Sequence, residues 1–270
     1  MAEPLKIGVT GCAGRMGRMI LQAVLQNADF RLVGGTVRPG HVSAGKDLGS
    51  LLARPDLGLD VTTELKALIP HVDVIIDFSS PEASLHHADL AAAGKVALVV
   101  GTTGLNKAQE KKLAQAATKI PLVYAANTSV GVTLLMVLVE RAAAALSPDW
   151  DVEILEMHHR FKVDAPSGTA LALGRAAAIG RGIDHDRVAI RQRDGQVGPR
   201  LQGSIGYAAL RGGDVIGDHT VIFAGPKERI ELAHKAGGRE IYAEGALRAA
   251  LWAHGQKPGL YSMRDVLGLV

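Results

Sequence analysis

Apolar residues in the first half of the chain gather in short runs at residues 5–10, 30–37, 72–78, 96–101 and 121–125, separated by longer stretches with helical spacing. Val74, Ile75 and Ile76, like Ala97, Leu98, Val99 and Val100, show no polar alternation. That is the pattern of parallel strands covered by helices on both faces. Residues 15–26 read as a helix opened by glycines, and 106–118 as an amphipathic helix. Ser80-Pro81-Glu82 reads as an N-cap with proline at the first helical position. The alternation predicts a βαβ series and an open, doubly wound parallel sheet of Rossmann type, an α/β fold.

Past about residue 127 the rhythm changes. A helix is expected over 131–145, a strand over 152–158 and a helix over 167–179, then strands over 188–193, 203–211, 218–224 and 229–233. This predicts a second, α+β domain with a mixed or antiparallel sheet. A helix over 243–254 and a short apolar tail over 263–267 follow, and pattern alone does not assign them to either domain. The expected organisation is a dinucleotide-binding domain over 1–126, a second domain over 127–239, and a C-terminal segment over 240–270.

Composition narrows the function classes. The 270 residues are 47% hydrophobic and 21% charged, which excludes a disordered chain and suits two ordinary domains. Thirty-two glycines in short clusters point to tight turns and close backbone approach. A net charge of +3 and 4% aromatic residues leave neither a basic footprint nor stacking platforms for nucleic acid. The longest apolar stretch, 130–139, is about half of the ~20 residues a membrane helix needs. The N-terminus shows no signal-peptide pattern, and the single cysteine, Cys12, fits a reducing compartment. A cytoplasmic protein without nucleic-acid or membrane partners is expected.

The first candidate chemistry lies where the first strand meets the first helix, at Gly11-Cys12-Ala13-Gly14-Arg15-Met16-Gly17. Glycines there let the backbone turn sharply and let a pyrophosphate approach the amides of the helix N-terminus. Cys12 is expected to fill space rather than act as a nucleophile. The second strand ends Gly35-Thr36-Val37-Arg38-Pro39, with Arg38 where an NAD-preferring site carries an acid. Arg38, helped by Arg15, is therefore expected to favour NADPH over NADH. Gly101-Thr102-Thr103-Gly104 and Ala125-Ala126-Asn127-Thr128 end two further strands and are placed to line a nicotinamide site. His86 and His87, adjacent on a helix, read as surface or partly packed side chains rather than ligands.

The densest polar stretch runs from Glu156 to Thr169: His158, His159, Arg160 and Lys162 precede Asp164-Ala165-Pro166, and Ser167-Gly168-Thr169 opens a helix. Free amides at that helix start, with Lys162 and a histidine beside them, suit a small dianion such as a dicarboxylate. Strand alternation would set His158, Arg160 and Lys162 on one face and His159 on the other. His159 joins the same pocket only if strand geometry stops near it. No carboxylate or cysteine completes a metal-ligand spacing, so no metal is expected.

The segment from Glu156 to Ala170 resembles the E-x-H-H-x-x-K-x-D-x-P-S-G-T-A signature of the dihydrodipicolinate reductases, also called 4-hydroxy-tetrahydrodipicolinate reductases. The resemblance extends to the Gly11–Arg18 loop, Asp77-Phe78-Ser79, Gly101–Gly104, Ala126–Gly131, Arg211-Gly212-Gly213-Asp214, Gly217-Asp218-His219-Thr220, His234-Lys235-Ala236 and residues 261–267. It implies NAD(P)H-dependent reduction of a cyclic dicarboxylate to tetrahydrodipicolinate on the diaminopimelate route to lysine. It also implies that the C-terminal segment returns to the nucleotide domain and that the sheets of four second domains assemble a homotetramer. By the resemblance His158 is a proton donor and acceptor and Lys162 a proton donor, while His159 contacts substrate and Gly168 and Thr169 hold a carboxylate. Gly11 to Met16, Gly101 to Thr103 and Ala125 to Thr128 hold the cofactor. Arg38 departs from the pattern, because many relatives carry an acid there; Phe161 and Thr128 also occupy variable positions. Two alternatives stand beside this reading. One is another Rossmann nicotinamide dehydrogenase acting on an amino acid or semialdehyde. The other is a non-catalytic NADPH sensor, which would have no use for His158 and Lys162 beside an anion slot.

Overall fold

The computed structural model describes residues 3–269. The chain divides into two compact units, one made of the residues up to Val130 together with those from Glu240 onward, the other of Gly131–Arg239. In the first unit β1 (Leu5–Thr10), α1 (Arg15–Gln26), β2 (Phe30–Thr36), β3 (Val61–Thr62), α2 (Leu65–Leu68) and β4 (Val74–Asp77) follow in order. They lead into α3 (Pro81–Gly94), β5 (Ala97–Val100), α4 (Lys107–Ala117) and β6 (Pro121–Tyr124). The strands pair in parallel in the order β6-β5-β4-β1-β2-β3.

The unbroken apolar runs have a direct cause. Successive strand residues point to opposite faces, and both faces are covered. Ile7, Val9, Val74, Ile76 and Val99 enter one core together with Ile20, Leu21 and Val24 of α1. Ile75, Leu98, Val100 and Leu122 enter another with Ala88 and Ala91 of α3 and Leu113 of α4. Local signals set the helix starts. Ser80 accepts from the Ala83 amide ahead of Pro81, and Asn106 and Gln109 form a reciprocal capping box. Register aligns Thr36, Thr10, Asp77, Val100 and Tyr124 in one row across the sheet, so the segments that follow them all leave at the same edge.

The second unit contains α5 (Val130–Ala145), β7 (Asp151–His158), α6 (Gly168–Arg181), α7 (His185–Val188), β8 (Ala189–Ile190), β9 (Ile205–Arg211), β10 (Asp218–Ala224) and β11 (Arg229–Lys235). Its sheet has the order β11-β10-β7-β9-β8 and is mixed: β10 is antiparallel to β7 and β11, whereas β9 is parallel to β7 and β8. One face buries Val152, Ile154, Ile205, Val221 and Phe223 against Leu135 and Val139 of α5 and Leu173 and Ala177 of α6. The other face carries Leu155 and Leu210, both exposed. The strand expected over 188–193 shrinks to Ala189 and Ile190. Arg191 and Arg193 turn away to acids instead, Arg193 making two 2.8 Å bonds to Glu153.

The last segment adds α8 (Glu240–His254), β12 (Gly259–Tyr261) and α9 (Met263–Val266) to the first unit. β12 extends the sheet in parallel beside β6. Ala243, Ala246, Ala249, Ala250 and Ala253 of α8 join the core that α1 enters. Close approach is built in at Gly245, where a Cβ would lie 1.8 Å from the Thr128 carbonyl. The short strands β3 and β12 lay outside the sequence expectation because two or three residues carry no periodicity to read. Among the described residues no helix is long and apolar enough to cross a membrane.

Candidate active site

At the shared strand edge of the first unit, the loop after β1 is compressed against its neighbours. Gly11 has φ +68°, and a Cβ there would lie 2.4 Å from the Phe78 carbonyl oxygen. Gly17 faces the same loop, its would-be Cβ 2.2 Å from the Gly11 carbonyl oxygen. Gly14 is the N-cap of α1 and supplies no side-chain cap, and the first turn holds no acid. Amides at this helix start are therefore not claimed by a capping side chain, which suits an incoming anion. Cys12 is fully buried, and burial pushes its thiol up to about 11, so it stays protonated and inert. The Ala13 carbonyl accepts from Arg18, Met16 is half-buried, and Arg15 is exposed.

Asp77 ties three turns of this edge together. Its Oδ1 accepts from Thr10 Oγ1 and Ser79 Oγ, each at 2.5 Å, and lies 3.2 Å from His87 Nδ1. Burial pushes the Asp77 carboxyl up, but His87 and the serine hydroxyls outweigh it and leave it below its ordinary value. Thr102 Oγ1 donates to Asp77 Oδ2 and accepts from the Ser79 amide. Gly101 is required beside it, because a Cβ would lie 2.1 Å from the Phe78 ring. Thr103 is exposed; the Ala125 amide donates to the Val100 carbonyl, and Ala126 is exposed. Asn127 Oδ1 accepts from Ser129, and the buried Thr128 donates to the Tyr242 carbonyl at 2.6 Å. Arg38 stands exposed two residues past β2, outside this buried network.

In the second unit the polar cluster is built at the end of β7. Glu156 and His158 share a strand face by alternation, and His158 Nδ1 lies 2.6 Å from Glu156 Oε2. Arg211, the last residue of β9, donates to both Glu156 oxygens at 2.8 Å and to the Asp164 carbonyl at 2.7 Å. Lys162 pairs with the Asp164 carboxylate at 2.8 Å. Strand geometry stops at His158: the His159 amide donates to the Val215 carbonyl, and the Lys162 amide returns to the His159 carbonyl in a turn. The alternation expected to carry Arg160 and Lys162 onto the face of His158 therefore ends before it reaches them. Arg160 is exposed, and Lys162 is half-buried in that turn. His159 Nδ1 is buried without a hydrogen-bond partner.

At the start of α6, Ser167 caps the Ala170 amide, lies 3.0 Å from His219 Nε2 and donates its own amide to Glu156 Oε1. Gly168 is exposed, with nothing within 4 Å of where a Cβ would stand, and Thr169 is half-buried beside it. Burial pushes the Glu156 carboxyl up, yet the Arg211 and His158 hydrogen bonds and charges hold it below its ordinary value, so it is ionised. Burial lowers the pKa of His158; Glu156 opposes this, while Lys162 and Arg211 add to the lowering. His219, stacked edge-on to His158 with centroids 5.1 Å apart, is driven to about 4, chiefly by burial. The cluster thus brings together the imidazoles of His158 and His219, both shifted toward the neutral form, the Lys162 side chain and a Ser167-capped helix start with Gly168 exposed.

Glu156, Arg211 and His219 carried no assigned role in the sequence reading. Glu156 was findable, since it sits two residues before His158 on an alternating strand. Arg211 lies 55 residues away, and only the β7–β9 pairing reveals it.

Comparisons with known proteins bear on both units. Residues 5–128 match the family model described as dihydrodipicolinate reductase, N-terminus, and residues 131–267 the one described as dihydrodipicolinate reductase, C-terminus. The 4-hydroxy-tetrahydrodipicolinate reductase of Rhizobium rhizogenes is 51% identical over 99% of this chain and 98% of its own length. That of Cereibacter sphaeroides is 50% identical over the full length of both. A solved dihydrodipicolinate reductase from a Paenisporosarcina species, with dipicolinate bound, superposes with a TM-score of 0.78 at 25% identity, covering 97% of this chain and 98% of that one. A diaminopimelate dehydrogenase from Corynebacterium glutamicum shares the fold at a TM-score of 0.56 and 15% identity, covering 97% and 93%. With both units matched and half of all positions shared end to end, the chain belongs to the dihydrodipicolinate reductase family.

Proposed function

We propose that this protein reduces 4-hydroxy-tetrahydrodipicolinate to tetrahydrodipicolinate with NAD(P)H, in the diaminopimelate route to lysine. The observation that carries the proposal is the junction of β7 and α6, where a carboxylate-held imidazole, a lysine side chain and the N-terminus of α6 lie within about a dozen residues of chain. The Paenisporosarcina relative holds a ring dicarboxylate, which is the class of molecule such a junction suits.

In this reading one substrate carboxylate rests on the amides of Gly168 and Thr169, where the α6 dipole favours negative charge. His159, with its unpartnered Nδ1, and Lys162 balance the other carboxylate. The compressed Gly11 loop and the uncapped α1 start fit a dinucleotide pyrophosphate, held by Gly11, Cys12, Ala13, Gly14, Arg15 and Met16. Gly101, Thr102, Thr103 and the segment from Ala125 to Thr128 line the nicotinamide end. NAD(P)H, when bound, supplies the hydride. Loss of the 4-hydroxyl as water leaves a conjugated ring; once the hydride has added to it, the electron density it leaves must take a proton, which Lys162 donates and His158 exchanges. Arg38 favours the 2′-phosphate of NADPH, since no acid stands at the end of β2. The uncovered sheet face around Leu155 and Leu210 is the surface through which four copies associate.

The test is a spectrophotometric assay of NADPH and NADH oxidation with the condensation product of pyruvate and aspartate semialdehyde. Lys162→Ala and His158→Ala are each expected to lower kcat by about two to four orders of magnitude. Turnover within a few-fold of wild type in both variants would defeat the proposal.

A further inference from the structure

Glu156 is 1% exposed, a costly place for a charge unless every lone pair is used. Here they are used on four donors from three separate segments. Oε2 receives His158 Nδ1 and Arg211, and Oε1 receives Arg211 and the amide of Ser167. Arg211 then reaches the Asp164 carbonyl, and the carboxylate of that residue holds Lys162. One ion pair therefore touches or braces the imidazole, the residue capping α6 and the strap that carries the ammonium.

We infer that Glu156, clamped by Arg211, is the positioning residue of the active site, fixing the tautomer of His158 and the seat of the α6 N-terminus together. The inference rests on His158 being a proton-transfer group. An ionised carboxylate accepts and cannot donate, so the proton between Glu156 and His158 belongs to Nδ1. Proton exchange with substrate is then confined to Nε2. The surroundings of Nε2 agree, because a Cβ at Gly217 would lie 3.0 Å from it and side chains at that position would crowd it. A glutamine at position 156 cannot reproduce the arrangement. Its NH2 group faces an Arg211 N–H in either orientation, together with the Ser167 amide in one and His158 Nδ1 in the other; the second makes Nδ1 an acceptor, so the single tautomer is lost.

The experiment uses the full chain, with NADPH and the ring substrate, and ring-nitrogen NMR of histidine-labelled protein, the His158 signals being assigned by their loss in His158→Gln. In Glu156→Gln, kcat is expected to fall about 10- to 100-fold, as for other groups that orient a catalytic ligand. The KM for NADPH is expected to stay within about 2-fold, because the nucleotide loops belong to the other unit. The His158 ring should pass from a single Nδ1–H tautomer to a mixture, and Glu156→Asp should restore the tautomer and part of kcat. Should Glu156→Gln not fold, Arg211→Lys replaces it: one contact in place of the fork is expected to cost about 10-fold in kcat with the NADPH KM unmoved. A persisting Nδ1–H tautomer in Glu156→Gln, or kcat within about 3-fold of wild type in the variant that folds, overturns the inference. Full turnover in His158→Gln would remove the proton-transfer role of His158 and this inference with it, whereas the functional proposal falls only if Lys162→Ala is also unimpaired. Lost turnover in His158→Gln beside wild-type turnover in Glu156→Gln defeats this inference alone.

Discussion

Gly17→Ala sets two physical effects of opposite sign against each other. Gly17 lies in the first turn of α1, where helix propensity alone predicts that alanine stabilises by about 1 kcal/mol. The added methyl would stand 2.2 Å from the Gly11 carbonyl oxygen and 2.7 Å from Cys12 Cα. Both neighbours are backbone, so no rotamer change relieves the contact. Gly11 cannot yield easily either, being held at φ +68° beneath the Phe78 carbonyl. The helix start and the loop must separate by roughly 1 Å, and overpacking of that kind costs about 1–3 kcal/mol. The steric cost less the propensity gain leaves a net destabilisation of about 0–2 kcal/mol in urea denaturation. Loop amides displaced by that distance lose a charge-assisted bond to pyrophosphate worth about 1.5–3 kcal/mol. Titration calorimetry should therefore show the Kd for NADPH rising about 10- to 100-fold. Gly14→Ala is the steric comparison for stability: its Cβ would stand 3.2 Å from the same oxygen, a contact that a shift of a few tenths of an ångström relieves, so the urea midpoint should change only slightly. A Gly17→Ala protein more stable than wild type, with unchanged Kd, would refute the reasoning.

Arg38→Ala should lower kcat/KM for NADPH by about 10-fold or more and leave that for NADH nearly unchanged, because only the 2′-phosphate loses a cation; equal losses with both cofactors would remove the specificity role. His219 has a folded-state pKa of about 4 against 6.5 for the free side chain, so its stabilisation is complete above about 6.5 and is lost as pH falls toward 4. His219 should account for about 2 kcal/mol of the stability lost between pH 7 and pH 5 in urea titrations, so His219→Asn should reduce the slope by that amount; an equal slope in the variant would contradict the assignment. Leu155→Arg, on the uncovered sheet face, should leave the fold intact and reduce the assembly measured by sedimentation, since a buried unpaired charge at an interface costs several kcal/mol; an unchanged sedimentation coefficient would count against that face.

The parallel strands, their flanking helices and the helix starts at Ser80, Asn106 and Ser167 were legible in the sequence. Each depends on interactions within a few residues: alternation sets the face, and a capping oxygen meets an amide two or three positions on. The Gly11 loop was legible for the same reason, as was the concentration of charge before α6. Family resemblance covered both units because their motifs are contiguous stretches of chain.

Tertiary structure decided what depends on distant partners. It paired β12 with β6 and brought α8 into the core that α1 enters, a choice the apolar face of residues 243–254 could not make, because it records burial and not against what. It ended β7 at His158, where the bond to Val215 competes with further strand pairing. It carried Arg211 across 55 residues to Glu156, turning a two-residue spacing into a four-donor clamp. Such contacts form only after a long loop closes, and that entropy is recovered from the packing of whole sheets rather than from any local signal.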